Sequence, residues 1–306
     1  MKSKNWFALF FTVLLYILFF TNAEYLKISI NNSIEFCLKS LIPSMFPFIL
    51  LSYFVINSNL ADEMIYKYIK SSKNLLGICK IYLSSIILGS VSGFITGPKC
   101  ICSIYSKEEE NDAQAFSDSV ILSSNCGVGF VISCVGILIW NSVEFGIFLY
   151  ISEIVTSLIL GKLLLRGYCN KEYCYTHCKL SLIDSFTYSV SSAFSSVFNA
   201  CSFVIFFSLL SDIFALYINS TISSLLSIIF EFSKGTFNAV SFNNVIVSAF
   251  LTGFSIGFGG LSVMFQTFSI CSGYPLNKKN YIVFKLLHGV ILGMLASLYI
   301  FYKYLL

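Results

Sequence analysis

The sequence predicts an all-α polytopic membrane protein: two structural repeats with re-entrant helical hairpins, following an N-terminal transmembrane anchor. Three observations predict it. Of the 306 residues, 57% are hydrophobic and only 11% charged, against roughly 25% charged in a soluble domain. The apolar residues fall in runs long enough for bilayer-crossing helices, which need about 20 residues each. Two of these runs are interrupted by glycine, at Gly89-Ser90-Val91-Ser92-Gly93-Phe94-Ile95-Thr96-Gly97-Pro98-Lys99 and at Gly253-Phe254-Ser255-Ile256-Gly257-Phe258-Gly259-Gly260-Leu261-Ser262. Irregular backbone exposed to lipid is too costly, so such breaks survive only where they are buried or line a cavity. Paired breaks in the two halves of a chain point to a carrier's substrate site.

Taken in order, Lys2 and Lys4 precede the apolar run from Trp6 to Phe20. Residues 1–24 read as an uncleaved anchor with the lysines on the cytoplasmic side, although Thr21 and Ala23 also fit a signal-peptide cleavage site. Residues 25–165 form the first repeat. Its stretch Ile34 to Ile56 contains Pro43 and Pro47, four residues apart on one helical face, which predicts a kinked or hairpin-like start. Asp62 to Lys80, with Lys67, Lys70 and Lys73, reads as an interfacial helix. Ile81 to Ile104 carries the first glycine motif, and Lys107-Glu108-Glu109-Glu110-Asn111-Asp112 is a solvated loop. Phe116 to Trp140 is apolar but interrupted by Ser123-Ser124-Asn125-Cys126-Gly127-Val128-Gly129. Val143 to Leu165 is an uninterrupted span.

Residues 166–181 form a basic, cysteine-rich linker, and residues 182–306 the second repeat. There, Phe186 to Asn199 predicts a Ser-rich amphipathic helix and Cys201 to Ile218 a span. Ile222 to Phe230 is too short to cross. Asn244 to Ile270 carries the second glycine motif, and Tyr281 to Phe301 is the last span.

A count of crossings adds a constraint. The positive-inside rule puts the N-terminus, the Lys67–Lys80 region and the Arg166–Lys179 region all inside. Three apolar segments separate the last two, yet an even number of crossings is required. One segment must enter and leave on the same side, and the glycine-broken ones are the candidates.

Ionisable residues at membrane depth are costly and are functional candidates by default. Glu231 ends the short segment and reads either as a substrate- or proton-handling carboxylate or as an interfacial helix cap. Glu153 and Asp212 read as structural residues facing polar interhelical contacts. Lys285 reads as a side chain that snorkels to an interface, one turn from His288. A half-helix N-terminus at Asn125 would offer free N–H groups to an anionic ligand. Three cysteines and a histidine crowd the linker (Cys169, Cys174, His177, Cys178), but without the paired Cys-x-x-Cys spacing of a zinc site. No metal or cofactor is expected. No phosphate-binding loop, Rossmann fingerprint, His-Glu-x-x-His or Gly-x-Ser-x-Gly motif occurs, so no enzyme is expected. The net charge of +4 is scattered, which argues against nucleic acid.

Several of these motifs resemble those of the sporulation integral membrane proteins of spore-forming Firmicutes, in the nucleoside-recognition or Gate domain superfamily related to concentrative nucleoside transporters. Phe46-Pro47-Phe48 is similar to the family's Leu-Pro-Phe element. Ser92-Gly93-Phe94-Ile95-Thr96-Gly97-Pro98-Lys99 resembles its Ser-Gly-Tyr-Pro-x-Gly-x-Lys stretch, and Ser124-Asn125 its Ser/Thr-Asn break. Phe230-Glu231-Phe232-Ser233-Lys234-Gly235, then Gly259-Gly260-Leu261-Ser262-Val263 with Gln266, resemble the elements of its second half. The chain departs from the pattern at Ile95, Val128-Gly129 and Met264, which stand where the family has Pro, Pro and His.

The resemblance implies two repeats whose hairpins meet near mid-membrane, in a multi-pass protein of the cell membrane or a forespore membrane. It also implies a carrier of a small anionic or polar metabolite in sporulation, either a dipicolinate-type dicarboxylate or a nucleoside-like molecule. Gly93, Gly97, Lys99 and Asn125 would line one side of the site, and Glu231, Ser262 and Gln266 the other. The partners are then a small-molecule substrate and the lipid bilayer, with a second copy or other sporulation membrane proteins as further candidates. The altered positions also fit a non-transporting membrane scaffold that recruits such partners.

Overall fold

The structure, a computed structural model, describes residues 2–58, 60, 80–106, 112–165 and 181–305. Regular structure among them is helical throughout. Five helices are long and apolar enough to cross a membrane: Ala23–Asn57, Val143–Leu164, Leu182–Ala215, Val245–Ile270 and Lys278–Lys303. The protein is an all-α, multi-pass membrane protein. The expected helix after Asp62, the loop from Lys107 to Asn111 and the linker carrying Cys169, Cys174, His177 and Cys178 lie outside the described residues.

In helix α1 (Lys2–Thr21), Trp6 is 71% and Phe20 80% exposed, and none of the side chains described is buried. Helix α2 (Ala23–Phe36), a π-helical turn (Cys37–Leu41) and α3 (Ile42–Asn57) form one run of 35 residues. The hairpin-like start expected from Pro43 and Pro47 is therefore absent. Pro43 sits in the first turn of α3, directly after the wider π turn. That turn shifts the hydrogen-bond register, easing the clash a proline ring makes with the carbonyl four residues back.

Next come α4 (Leu83–Ser92) and α5 (Thr96–Tyr105), ten residues each and so about 15 Å long. Each is half of what a bilayer needs. The chain reverses between them and brings the helices so close that a β-carbon on Gly89 would lie 2.7 Å from the Gly97 Cα. Gly93 makes the turn at φ 104°, open to glycine and strained for other residues. Of the three apolar segments in this half, the first is thus a hairpin too short to cross.

Helix α6 (Ala113–Ser123) is capped by Asp112, whose carboxylate accepts from the Gln114 and Ala115 N–H groups. It stops at 124–128 and resumes as a π-helix, Gly129–Ile139. Ser142 caps α7 (Val143–Leu164). Helix α8 (Leu182–Ala215) then runs 34 residues without interruption, where an amphipathic helix and a separate span were expected. No Gly or Pro interrupts it, and Ser185, Ser189 and Ser196 are buried against another helix, while Ser191, Ser195 and Ser202 are exposed. The Ser185 hydroxyl donates to the Asn57 carbonyl at 3.1 Å, the Asn57 amide to Ser189 at 2.9 Å, and Ser196 bonds the Tyr53 hydroxyl at 2.9 Å.

The remaining elements follow the same order as α4 to α7. Helices α9 (Ser220–Phe230) and α10 (Phe232–Ala239) form a second hairpin, in which a β-carbon on Gly235 would lie 2.6 Å from the Ile228 Cα. A crossing helix follows, interrupted once. Helix α11 (Val245–Phe258), capped by Asn244, leads through left-handed Gly259 and Gly260 (φ 77° and 70°) into α12 (Gly260–Ile270). The last element is α13 (Lys278–Leu305). Each glycine motif thus divides into two jobs. Gly93 and Gly259 make breaks, whereas Gly253 and Gly257 form a packing seam against Leu292 and Gly289 of α13, leaving no room for a β-carbon.

Candidate functional site

Four interruptions of helical structure meet inside the protein. In the first half the α4–α5 tip packs on the 124–128 break: a β-carbon on Gly127 would come within 3.0 Å of the Ser92 carbonyl group, and one on Gly97 within 2.4 Å of the Ser123 Cβ. In the second half the α9–α10 tip packs on the Gly259–Gly260 break, where a β-carbon on Gly260 would lie 3.1 Å from the Phe232 nitrogen. Aromatic rings join the two pairs. Phe94 meets Phe232 edge to face at 5.2 Å, Phe232 meets Phe130 at 5.1 Å, and the Phe94 ring edge lies against Gly259.

On one side of this junction lies a buried polar cluster. The Asn125 amide donates to the Leu122 carbonyl at 2.9 Å and to the Ser90 hydroxyl at 3.2 Å, leaving its own oxygen without a partner. The Tyr150 hydroxyl donates to the Ser90 carbonyl at 3.2 Å. Glu153, 0% exposed on α7, accepts the Cys126 N–H at 2.5 Å through Oε1, while its Oε2 is unpartnered. Lys285, also 0% exposed, donates to the Ser124 carbonyl and stands 5.2 Å from the centre of the Phe94 ring. It is close enough to Glu153 to interact electrostatically. His288 Nε2 lies 3.0 Å from both the Glu153 carbonyl and the Thr156 hydroxyl.

Two expectations are corrected here. Lys285 does not snorkel: it lies about two turns inside α13, whose first residue is Lys278, and points into the helix break. The Asn125 break does not offer all its N–H groups to a ligand, because the Glu153 carboxylate already holds that of Cys126.

On the other side, Glu231 is buried and caps α10. Its carboxylate accepts from the Lys234 N–H at 2.7 Å and the Ser233 hydroxyl at 2.8 Å, with the Ser262 hydroxyl at 3.5 Å. It is a cap, as one reading of the sequence held, but a deeply buried one rather than an interfacial one. The Lys234 side chain pairs with Asp212, which also accepts from Ser29 at 2.6 Å. This pair lines a groove of about 370 Å³ with Tyr25, Asn32, Phe36 and Phe237.

Lys99 and Gln266 turn toward α8. The Lys99 ammonium donates to Ser196 at 3.1 Å and lies over the Tyr53 ring, while the Gln266 amide approaches the Ala200 carbonyl at 3.5 Å. The residues inferred from sequence therefore divide into three places. Gly93, Gly97 and Asn125 lie at the first pair of breaks, Glu231 and Ser262 at the second, and Lys99 and Gln266 on one face of α8. Glu153, Lys285 and His288 complete the first place. The sequence hint for them was opposite charges at depth in two separate spans.

Among the described residues no group of three His, Cys, Asp or Glu side chains could hold a metal ion. Comparison with family models, with curated proteins and with solved structures finds no match for this chain.

Proposed function

We propose that this protein is a membrane carrier of a small anionic or polar metabolite, of the dipicolinate-type dicarboxylate or nucleoside-like class, acting in spore formation. The observation that carries the proposal is the meeting of two hairpin tips with two interrupted helices around buried polar side chains. Such a junction sacrifices backbone hydrogen bonds in a medium that offers no replacements, and carriers bind substrate at sites of this kind. The recurrence of hairpin, interrupted helix and long helix in both halves supports a two-repeat design. The motif resemblance supplies the substrate classes and the sporulation setting.

The chemistry of the site fits an anion or a hydrogen-bonding ligand. Lys285 supplies positive charge at the first break, and Asn125 has an unpartnered oxygen beside it. Glu231 and Ser262 form the opposing polar wall. Alternating access would come from one hairpin pair moving against the other about the Phe94–Phe232 contact.

Thermal unfolding of the purified protein with dipicolinate and with uridine tests the reading. A ligand present at 100 times its dissociation constant stabilises by about 2.7 kcal/mol. The account expects a rise in midpoint with one of them, lost in Asn125→Ala. No rise with either, together with co-purification of a stoichiometric protein partner, would replace the carrier with a scaffold.

A further inference from the structure

We infer that Glu153 is a proton-binding site that couples proton movement to anion carriage, the coupling resting on the carrier reading above and the proton site standing on its own geometry. Glu153 already occupies an anion position. Its Oε1 takes the Cys126 N–H at the first helix break, within electrostatic reach of the Lys285 ammonium. A substrate carboxylate would seek the same two groups, the break N–H and the ammonium. The internal carboxylate and an external one compete for them, and a bound proton on Glu153 withdraws it from the competition. A proton taken up on Glu153 cancels the charge of one substrate carboxylate, which in a low-dielectric interior lowers the cost of bringing that negative charge into the buried cluster.

The surroundings favour a group that gains and loses a proton over a fixed structural one. A permanently charged structural carboxylate recruits hydrogen bonds to both oxygens, as Glu231 does through Lys234 and Ser233. Glu153 Oε2 has none and is fully buried. That bare oxygen is where a proton would sit. The titratable groups facing Glu153 are Cys126 at the break, Lys285 and His288 on α13, and Tyr150 on its own helix. Lys285 carries the charge that opposes proton binding.

Infrared titration of the full-length protein in lipid tests the site directly. The carboxylic-acid carbonyl band of Glu153 should appear as pH falls and be absent in Glu153→Gln. In Lys285→Met, which removes the opposing positive charge, its midpoint should move up by about one to three pH units. If Glu153→Gln does not fold, Glu153→Asp assigns the band by moving it. A spectrum with no band dependent on residue 153, or a midpoint unmoved in Lys285→Met, overturns the proposal. Uptake of labelled dipicolinate into proteoliposomes reads the carrier separately. Titration without uptake keeps the proton site and sinks dipicolinate carriage, and the coupling with it, whereas uptake indifferent to an imposed pH gradient sinks the coupling alone.

Discussion

The ring of Phe94, at the tip of the first hairpin, meets the ring of Phe232, at the tip of the second, edge to face with centroids 5.2 Å apart. These residues are 138 positions apart in sequence and both are buried. Their contact bridges the two sets of helix breaks, beside that of Phe232 with Phe130 at 5.1 Å. An edge-to-face pair contributes about 0.5–1.5 kcal/mol beyond its buried area. A double-mutant cycle of Phe94→Leu and Phe232→Leu, read by thermal unfolding in detergent, should return a coupling of that size. Additive effects would mean the hairpins are held together elsewhere.

The glycines predict a rescue pattern. A β-carbon on Gly97 collides mainly with the Ser123 side chain, at 2.4 and 2.7 Å, whereas one on Gly89 collides with backbone, the Gly97 Cα at 2.7 Å and the Ser123 carbonyl at 2.8 Å. Gly97→Ala should therefore lose about 1–3 kcal/mol and regain much of it with Ser123→Gly. Gly89→Ala should lose as much and regain nothing from the same partner. Folding yield and melting temperature of the four variants would check this.

Glu231 distinguishes a cap from a charge. Glu231→Gln keeps a side-chain oxygen for the Lys234 N–H, while Glu231→Ala removes it and should cost about 0.5–2 kcal/mol of stability. The Gln variant should stay folded in the membrane and lose substrate binding. Equal destabilisation by both would show that the full carboxylate network, including Ser233, is structural.

Much of the architecture was legible because the bilayer punishes irregular backbone so heavily. Glycine clusters inside apolar runs had to mark buried breaks, and the parity of crossings required a hairpin among three segments. Which glycine does which job was not legible: Gly253 and Gly257 look like Gly93 in sequence, yet pack against α13. The Glu153–Lys285 association was hidden for a different reason. Each residue reads alone as a costly charge with several outlets, and only the fold brings α13 to the break at Ser124. Pro43 left a kink and a hairpin equally open, and only the neighbouring π turn, invisible to residue propensity, shows the helix running on through it.

Two thiol groups offer a mechanical probe. Cys102, on the first hairpin, and Cys271, at the end of α12, have sulfurs 3.7 Å apart and are both buried. A membrane-permeant oxidant such as iodine should join them, giving a cross-linked peptide pair by mass spectrometry that is absent in Cys102→Ser. If the first hairpin must move against α12, the cross-linked protein should stop carrying substrate, and reduction should restore it. Cross-linking without effect would place the moving parts elsewhere.

Flux through the purified protein tests the central claim most directly. Proteoliposomes containing it should take up labelled dipicolinate or labelled uridine at a rate well above empty vesicles, saturably, and Asn125→Ala should abolish that uptake while inserting normally. Uptake of both no faster than into empty vesicles, from protein shown to be folded, would contradict the reading of the four helix breaks as a substrate site.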